Sequence, residues 1–373
     1  MSHYLGLIVK ATRLCNLRCA YCHDWDTGKD QIMPFRVMAT LTERALSEAE
    51  HQAVEFIWHG GEPTLLPMSF YEKAVVVQAR LRRPGQIIQN SLQSNGTLIT
   101  PEWARFLRDM RFHVSLSLDG PPELHDLHRL GVANQASFAT VIRGIDTLRE
   151  YGVPFSVLMV IDHEALALGP QRIFDFFLSQ GISNYGLVAA KPTNQPNATP
   201  GTLTRHYVDP KAMTVFLQGL YDCWREHGDE HVHIREIDAL LKRVRGQPAQ
   251  SCTLAGACLG RYFLIEPNGE IAHCDLFLGD NRYTLGNVMT HRFSDLEQSP
   301  TLQTLRLERE SDLNQMRGCA DFDLCQGWCP HEHYLSVRHS PAHSPSCCGL
   351  SDLIRHIRTG ETTQTPQPAA AIG

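Results

Sequence analysis

The sequence predicts an α/β fold: a partial (β/α)6 TIM-like barrel followed by a cysteine-rich C-terminal region. Three observations carry this. Six short apolar runs alternate with stretches of helical periodicity, a βαβ pattern that makes a parallel sheet with right-handed crossovers. Polar, glycine-bearing stretches stand just after several of these runs, where the functional loops of such a barrel lie. The cysteines are grouped at short spacings instead of being spread along the chain.

The first run, residues 5–11 (LGLIVKA), reads as a buried strand and leads straight into a loop with three cysteines. Further strand-like runs fall at 54–59, 87–92, 113–118, 155–161 and 184–189. Helical periodicity fills 35–50, 69–82, 101–109, 137–151 and 170–180 between them. Residues 191–205 are rich in Pro, Thr and Asn and read as a linker or flexible loop. Helices follow at 210–227 and 234–245, and the remaining grouped cysteines lie between Cys252 and Cys348. The end from about residue 359 is low in apolar bulk and is expected to be disordered. The expected division is a barrel over 1–205, a helical bridge over 206–250, a cysteine domain over 251–350 and a tail over 359–373.

Composition narrows the function classes. The 373 residues are 43% hydrophobic and 20% charged with a net charge of −6, which leaves no basic footprint for nucleic acid. No apolar run approaches the roughly 20 residues that span a bilayer. The N-terminus has no charged leader and no small-residue cleavage site, so a cytoplasmic location is expected. There, twelve cysteines at short spacings are metal ligands sooner than disulfide partners.

Cys15, Cys19 and Cys22 lie within eight residues of one another, with no fourth cysteine nearby. A closed zinc site wants four protein ligands. A cubane iron–sulfur cluster on three cysteines keeps one iron open for a substrate or cofactor. Three stretches at strand ends accompany the loop: His59-Gly60-Gly61-Glu62-Pro63, Ser94-Asn95-Gly96-Thr97, and Ser117-Leu118-Asp119-Gly120. Each alone is a routine turn. Together, on successive strands, they read as the wall of one site.

The C-x3-C-x2-C spacing joined to Gly-Gly-Glu-Pro resembles the radical S-adenosylmethionine enzymes. The resemblance implies a [4Fe–4S] cluster on Cys15, Cys19 and Cys22, whose open iron binds S-adenosylmethionine. One-electron reduction by an external donor such as flavodoxin or ferredoxin then gives a hydrogen-abstracting 5′-deoxyadenosyl radical. It further implies that Gly60, Gly61 and Glu62 face the methionine amino group and that Ser117 faces the methionine or ribose. Tyr21 would lie near the adenine, and Ser94 and Asn95 would share the cofactor wall. Relatives often carry an aromatic after the third cysteine, where this chain has His23. Arg129 would pair with a carboxylate, a surface salt bridge being the plainer reading.

The later cysteines resemble the SPASM extension of radical enzymes that modify peptides and proteins, which binds two auxiliary [4Fe–4S] clusters. By that arrangement Cys252, Cys258, Cys274 and Cys329 hold the first, and Cys319, Cys325 and Cys347 the second. Met316 stands where the pattern has a further cysteine. The open place falls to Cys348, to Asp321 or Asp323, or to nothing; a zinc knot or an empty second site is the alternative. The resemblance is closest to the anaerobic sulfatase-maturating branch, through His273-Cys274-Asp275-Leu276-Phe277 and the barrel-mouth stretches. It makes Asp275 the candidate base, against the plainer reading of a turn cap. Trp328 would shield a cluster, and Cys223 reads as a core thiol. His331 and His333 are two residues apart and would face apart on a helix.

These readings point first to a maturase that abstracts hydrogen from a residue of a ribosomally made peptide or a protein and oxidises it, for example into a side-chain crosslink. The missing auxiliary ligand favours this over formylglycine formation from Ser or Cys, the second reading. A non-catalytic iron–sulfur electron carrier or zinc scaffold is the third.

Overall fold

The computed structural model describes residues 4–22, 31–48, 50–191, 206–249, 251–254, 258–277, 280–340 and 343–362. His23 and most of the 191–205 linker therefore lie outside the described residues.

Six strands form the body of one sheet: β1 (Tyr4–Lys10), β2 (Ala53–His59), β3 (Ile87–Ser94), β4 (His113–Ser117), β5 (Phe155–Ile161) and β6 (Asn184–Ala189). They lie side by side in chain order, each parallel to the next. The helices are α1 (Phe35–Ser47), α2 (Met68–Leu81), α3 (Pro101–Asp109), α4 (Pro122–His128), α5 (Phe138–Glu150), α6 (His163–Leu168) and α7 (Pro170–Ser179). They cover the sheet through residues such as Met38, Leu41, Tyr71, Leu107, Ile145 and Phe177, all buried against Leu7, Phe56, Trp58 and Met159. This is the expected partial barrel, and the helix ends fall within three residues of those read from the sequence.

Three elements of this half add to the sequence reading, the short helix α6 among them. The turn motif Ser117-Leu118-Asp119-Gly120 runs on through Pro121 into α4, because a proline at the first helical position, here Pro122, is preorganised for a helix. Beyond α8 (Pro210–His227) a two-residue strand, β7 (His233–Ile234), pairs with the free edge of β6 before α9 (Arg235–Val244) starts.

The C-terminal region continues the same sheet. β8 (Tyr262–Ile265) pairs parallel with β1 in the register Gly6↔Tyr262 to Val9↔Ile265. β9 (Glu270–His273) and β10 (Thr284–Asn287) extend it antiparallel, giving the order β10-β9-β8-β1-β2-β3-β4-β5-β6-β7. Short helices complete the chain: α10 (Phe293–Glu297), α11 (Pro300–Met316), α12 (Phe322–Cys325), α13 (Pro330–His339) and α14 (Ser351–Thr362). The last overrides part of the expected tail: Ile354 and Ile357 are buried, and the helix packs on α8 and α9 through residue 362. Among the described residues no helix is long and apolar enough to cross a membrane.

Candidate active site

The three-cysteine loop leaves β1 and is pinned from two sides. Arg18 and Ala20 donate backbone N–H groups to the carbonyls of Leu130 (2.7 Å) and His128 (3.0 Å). On the other side the Glu62 N–H donates to the Leu14 carbonyl at 2.8 Å. Gly61 lies so close that a Cβ would fall 2.2 Å from that same Leu14 oxygen, and its φ is +44°, so only glycine fits.

Glu62 is fully buried. One carboxylate oxygen accepts from Thr64 N–H (2.9 Å), Thr64 Oγ1 (2.5 Å) and Ser94 Oγ (2.8 Å), and the other from Asn95 N–H (2.7 Å). Burial raises its pKa in spite of these donors. The side chain thus fastens the β2 loop to the β3 loop. Asn95 in turn donates to Asn16 Oδ1 at 2.8 Å and reaches Cys15 Sγ at 3.9 Å. Ser117 sits next along, accepting from Gln93 Nε2 at 3.1 Å.

A buried ion pair completes the mouth. Arg129 is 7% exposed, which overturns the surface reading. Its Nε donates to Asp119 Oδ2 at 2.8 Å and its Nη1 reaches Cys19 Sγ at 3.8 Å. The Tyr21 hydroxyl donates to the same Asp119 oxygen, and the Arg129 guanidinium stands 5.5 Å from the Tyr21 ring centre. Burial pushes the Asp119 carboxyl up, but Arg129, His125 and the hydrogen bonds outweigh it and leave the pKa lowered. Asp119 escaped the sequence reading because it lay inside a turn motif; a buried acid that needs a cation emerges only from the fold.

The later cysteines gather in two groups. Cys258 lies within electrostatic reach of Cys252, and Cys274 within reach of Cys329 and Cys258. Burial pushes Cys258 up to about 11 and Cys329 to about 12, as it does Cys15 (about 11) and Cys19 (about 12). Buried thiols of this kind ionise readily only when a cation replaces their protons. In the second group Cys348 touches both Cys325 and Cys347, lowering those two while its own pKa rises, and Cys347 touches Cys319. Ser351 Oγ lies 3.4 Å from Cys319 Sγ and 3.3 Å from Cys347 Sγ. Asp321 instead accepts from Arg358 Nη1 at 2.8 Å.

Between the two groups Arg309 is 7% exposed. Its Nη2 donates to the carbonyls of Gly327 (3.1 Å) and Trp328 (2.6 Å), while among the described residues Nε and Nη1 have no hydrogen-bond partner. Cys258, Cys329 and Cys348 act on it electrostatically. Orphaned buried donors beside converging thiols fit anionic sulfur-ligated clusters. Trp328 is half-buried beside Cys329. Cys223 is buried in α8 with its thiol donating to Gln171 Oε1 at 3.2 Å. His331 faces Phe277 and Tyr334 while His333 faces Asp312 and His343, as two positions on opposite sides of α13 must.

Asp275 joins the two halves. It follows Cys274, whose φ of +56° is rare for a side-chain-bearing residue. Its Oδ2 stands 3.7 Å from Lys10 Nζ and 3.6 Å from His59 Nδ1, the last residues of β1 and β2, and these two nitrogens are 2.8 Å apart. From the sequence Lys10 has no role and His59 only a place at the head of the Gly-Gly-Glu-Pro stretch. Arg13 in the cysteine loop grips Glu266 beyond β8 with two hydrogen bonds, one from Nε at 2.9 Å.

Residues 9–166 match the radical SAM superfamily model, and residues 257–321 match the SPASM iron–sulfur cluster-binding domain. The cysteine-type anaerobic sulfatase-maturating enzyme of Clostridium perfringens is 30% identical over 335 residues, covering 87% of this chain and 88% of that protein. The chain belongs to the radical SAM superfamily. This radical SAM/SPASM enzyme is also 27% identical to the serine-type anaerobic sulfatase-maturating enzyme of Bacteroides thetaiotaomicron, over 92% of this chain and 87% of the relative. Its fold matches the solved structure of native anSMEcpe with bound AdoMet and Kp18Cys peptide at a TM-score of 0.82 and 27% identity, covering 96% of this chain and 99% of that one. S-Adenosylmethionine and [4Fe–4S] clusters are accordingly its cofactors.

Proposed function

We propose that this radical SAM/SPASM enzyme oxidises a side chain of a peptide or protein substrate, with Asp275 as the base. The observation that carries the reading is the placement of Asp275, a residue of the C-terminal half, against Lys10 and His59 at the mouth of β1 and β2. When bound, S-adenosylmethionine and the clusters supply a hydrogen-abstracting radical and an acceptor for the electron left behind, with flavodoxin or ferredoxin as external donor. Cys15, Cys19 and Cys22 hold the first cluster. Gly60, Gly61, Ser94, Asn95 and Ser117 wall the cofactor, with Glu62 locking two of those loops together. Arg129 is held by Asp119 and Tyr21 beside Cys19. Asp275 accepts the proton that leaves the substrate, its carboxylate oriented by the Lys10 ammonium and the His59 ring.

Cys252, Cys258, Cys274 and Cys329 fit one auxiliary cluster, and Cys319, Cys325, Cys347 and Cys348 the other. With Cys348 in the place left by Met316, a gap in the ligand set no longer argues for departure from the sulfatase-maturating branch. Formylglycine formation from Ser or Cys is therefore the specific outcome favoured, and peptide crosslinking is the second reading.

The test is anaerobic incubation of reduced enzyme and S-adenosylmethionine with serine- and cysteine-bearing sulfatase peptides. The expected product from serine is two hydrogens lighter, and the product from cysteine is two hydrogens lighter and also carries oxygen in place of sulfur. Asp275→Asn should lower product formation at least ~10²-fold while deoxyadenosine still forms. Product at the wild-type rate from this variant would refute the base assignment. Unmodified sulfatase peptides beside a crosslinked product from another peptide would refute the formylglycine reading alone.

A further inference from the structure

Close to the Tyr21 ring lies a group of side chains that the cluster chemistry does not use. His128 ends α4, Asp162 follows β5 and caps α6, Glu164 lies two residues on, and His206 belongs to the segment before α8. Asp162 is fully buried, with His128 2% and His206 3% exposed; Glu164 forms the exposed rim. One ligand atom from each of the four lies within 4.8 Å of all the others.

The geometry around Asp162 is specific. Its Oδ1 accepts the Ala165 N–H at 3.0 Å, which fixes the carboxylate and leaves Oδ2 to the two imidazoles. Oδ2 lies 2.7 Å from His128 Nε2 and 3.3 Å from His206 Nδ1, and Glu164 Oε2 lies 4.0 Å from His128 Nε2. His128 Nε2 has the Asp162 carboxylate as its ion-pair neighbour, and among the described residues its Nδ1 has no hydrogen-bond partner. Zinc with bonds of about 2.0–2.1 Å sets its tetrahedral ligand atoms roughly 3.3 Å apart. The three imidazole-to-carboxylate separations, 2.7, 3.3 and 4.0 Å, lie on both sides of that spacing. Two neutral imidazoles and two carboxylates also balance the charge of a divalent ion, and four protein ligands make a closed site.

We infer that His128, Asp162, Glu164 and His206 form a closed site for a divalent cation of the zinc class, separate from the cysteine centres. The ion clamps three segments at one point. It also acts on the first cysteine loop: Ala20 N–H is bonded to the His128 carbonyl, and the Tyr21 ring centre lies 5.7 Å from the His128 ring and 6.2 Å from that of His206. The inference does not depend on the substrate or on the role of Asp275. The competing arrangement is a His–Asp–His network held by protons alone.

The experiment uses the full chain with its iron–sulfur clusters reconstituted, then given zinc ion and freed of loosely held metal. Elemental analysis should find one zinc per chain, and zinc X-ray absorption should show nitrogen and oxygen neighbours without sulfur. Removing the zinc with a chelator should lower Tm. His128→Asn and His206→Asn should each weaken zinc binding at least ~10-fold and abolish the chelator's effect on Tm. A wild-type holoenzyme that takes up no zinc, takes it up with sulfur neighbours, or shows a Tm indifferent to the chelator overturns the site, and these wild-type measurements decide even if a variant fails to fold. Zinc retained undiminished by a folded His128→Asn protein overturns it equally.

Discussion

Cys348 shows how much one residue's surroundings change its meaning. By sequence it is the second of an adjacent pair, one of several claimants for a vacant ligand place. In the fold it touches Cys325 and Cys347, while Asp321 is committed to Arg358. Cys348→Ser should cost the enzyme about four iron atoms per chain, read by iron and sulfide analysis, with Met316→Cys restoring them. An unchanged iron content in Cys348→Ser would refute the ligand assignment. His125 offers a pH test. Burial depresses its pKa from 6.5 to about 4, and its ring accepts the Asp119 N–H at 3.2 Å while standing 3.0 Å from Ser137 Oγ. Between pH 6.5 and 4 the unfolded chain binds a proton at this histidine that the folded chain refuses. Its contribution to stability is therefore complete above pH 6.5 and is lost as pH falls toward 4. His125→Gln should flatten the dependence of Tm on pH over that window; an equal slope in both proteins would contradict it.

At the scale of elements, the strand ends and their loops make the site, and they do so by close packing. The turn after β2 must pass within van der Waals distance of the cysteine loop, and Gly61 permits this. In Gly61→Ala both the positive φ and the approach to Leu14 are violated, at a cost of about 1–3 kcal/mol. The cysteine loop should be displaced, so the first cluster should load poorly while the auxiliary clusters load normally. Electron paramagnetic resonance of the variant reads the two populations separately, and a normal first-cluster signal would show that the packing is looser than described.

At the scale of the whole molecule, the two halves are one sheet. β8 covers the edge of β1, and Arg13 in the first cysteine loop holds Glu266 beyond β8. The hydrogen-bonded pair ties the three-cysteine loop to the half that carries Asp275. Removing Glu266 leaves a largely buried guanidinium without its carboxylate. Glu266→Ala should lower stability on the order of 2 kcal/mol, seen in Tm, and should raise the ratio of deoxyadenosine to product. A variant with unchanged coupling would separate this ion pair from function.

The sequence by itself determined the alternation of strands and helices, because apolar periodicity reports local geometry directly. It also determined the three-cysteine grouping, because Cys15, Cys19 and Cys22 are neighbours in the chain. Tertiary structure alone decided what depends on residues far apart: Arg129 with Asp119, Cys348 with Cys325, His128 with Asp162, and Asp275 with Lys10 and His59. The reason is physical. A ligand set or an ion pair is defined by distances of a few ångströms, and spacing along a chain fixes such distances only within a loop or a turn. The pairing of β8 with β1 is the step that brings the C-terminal half, with Asp275, to the ends of β1 and β2.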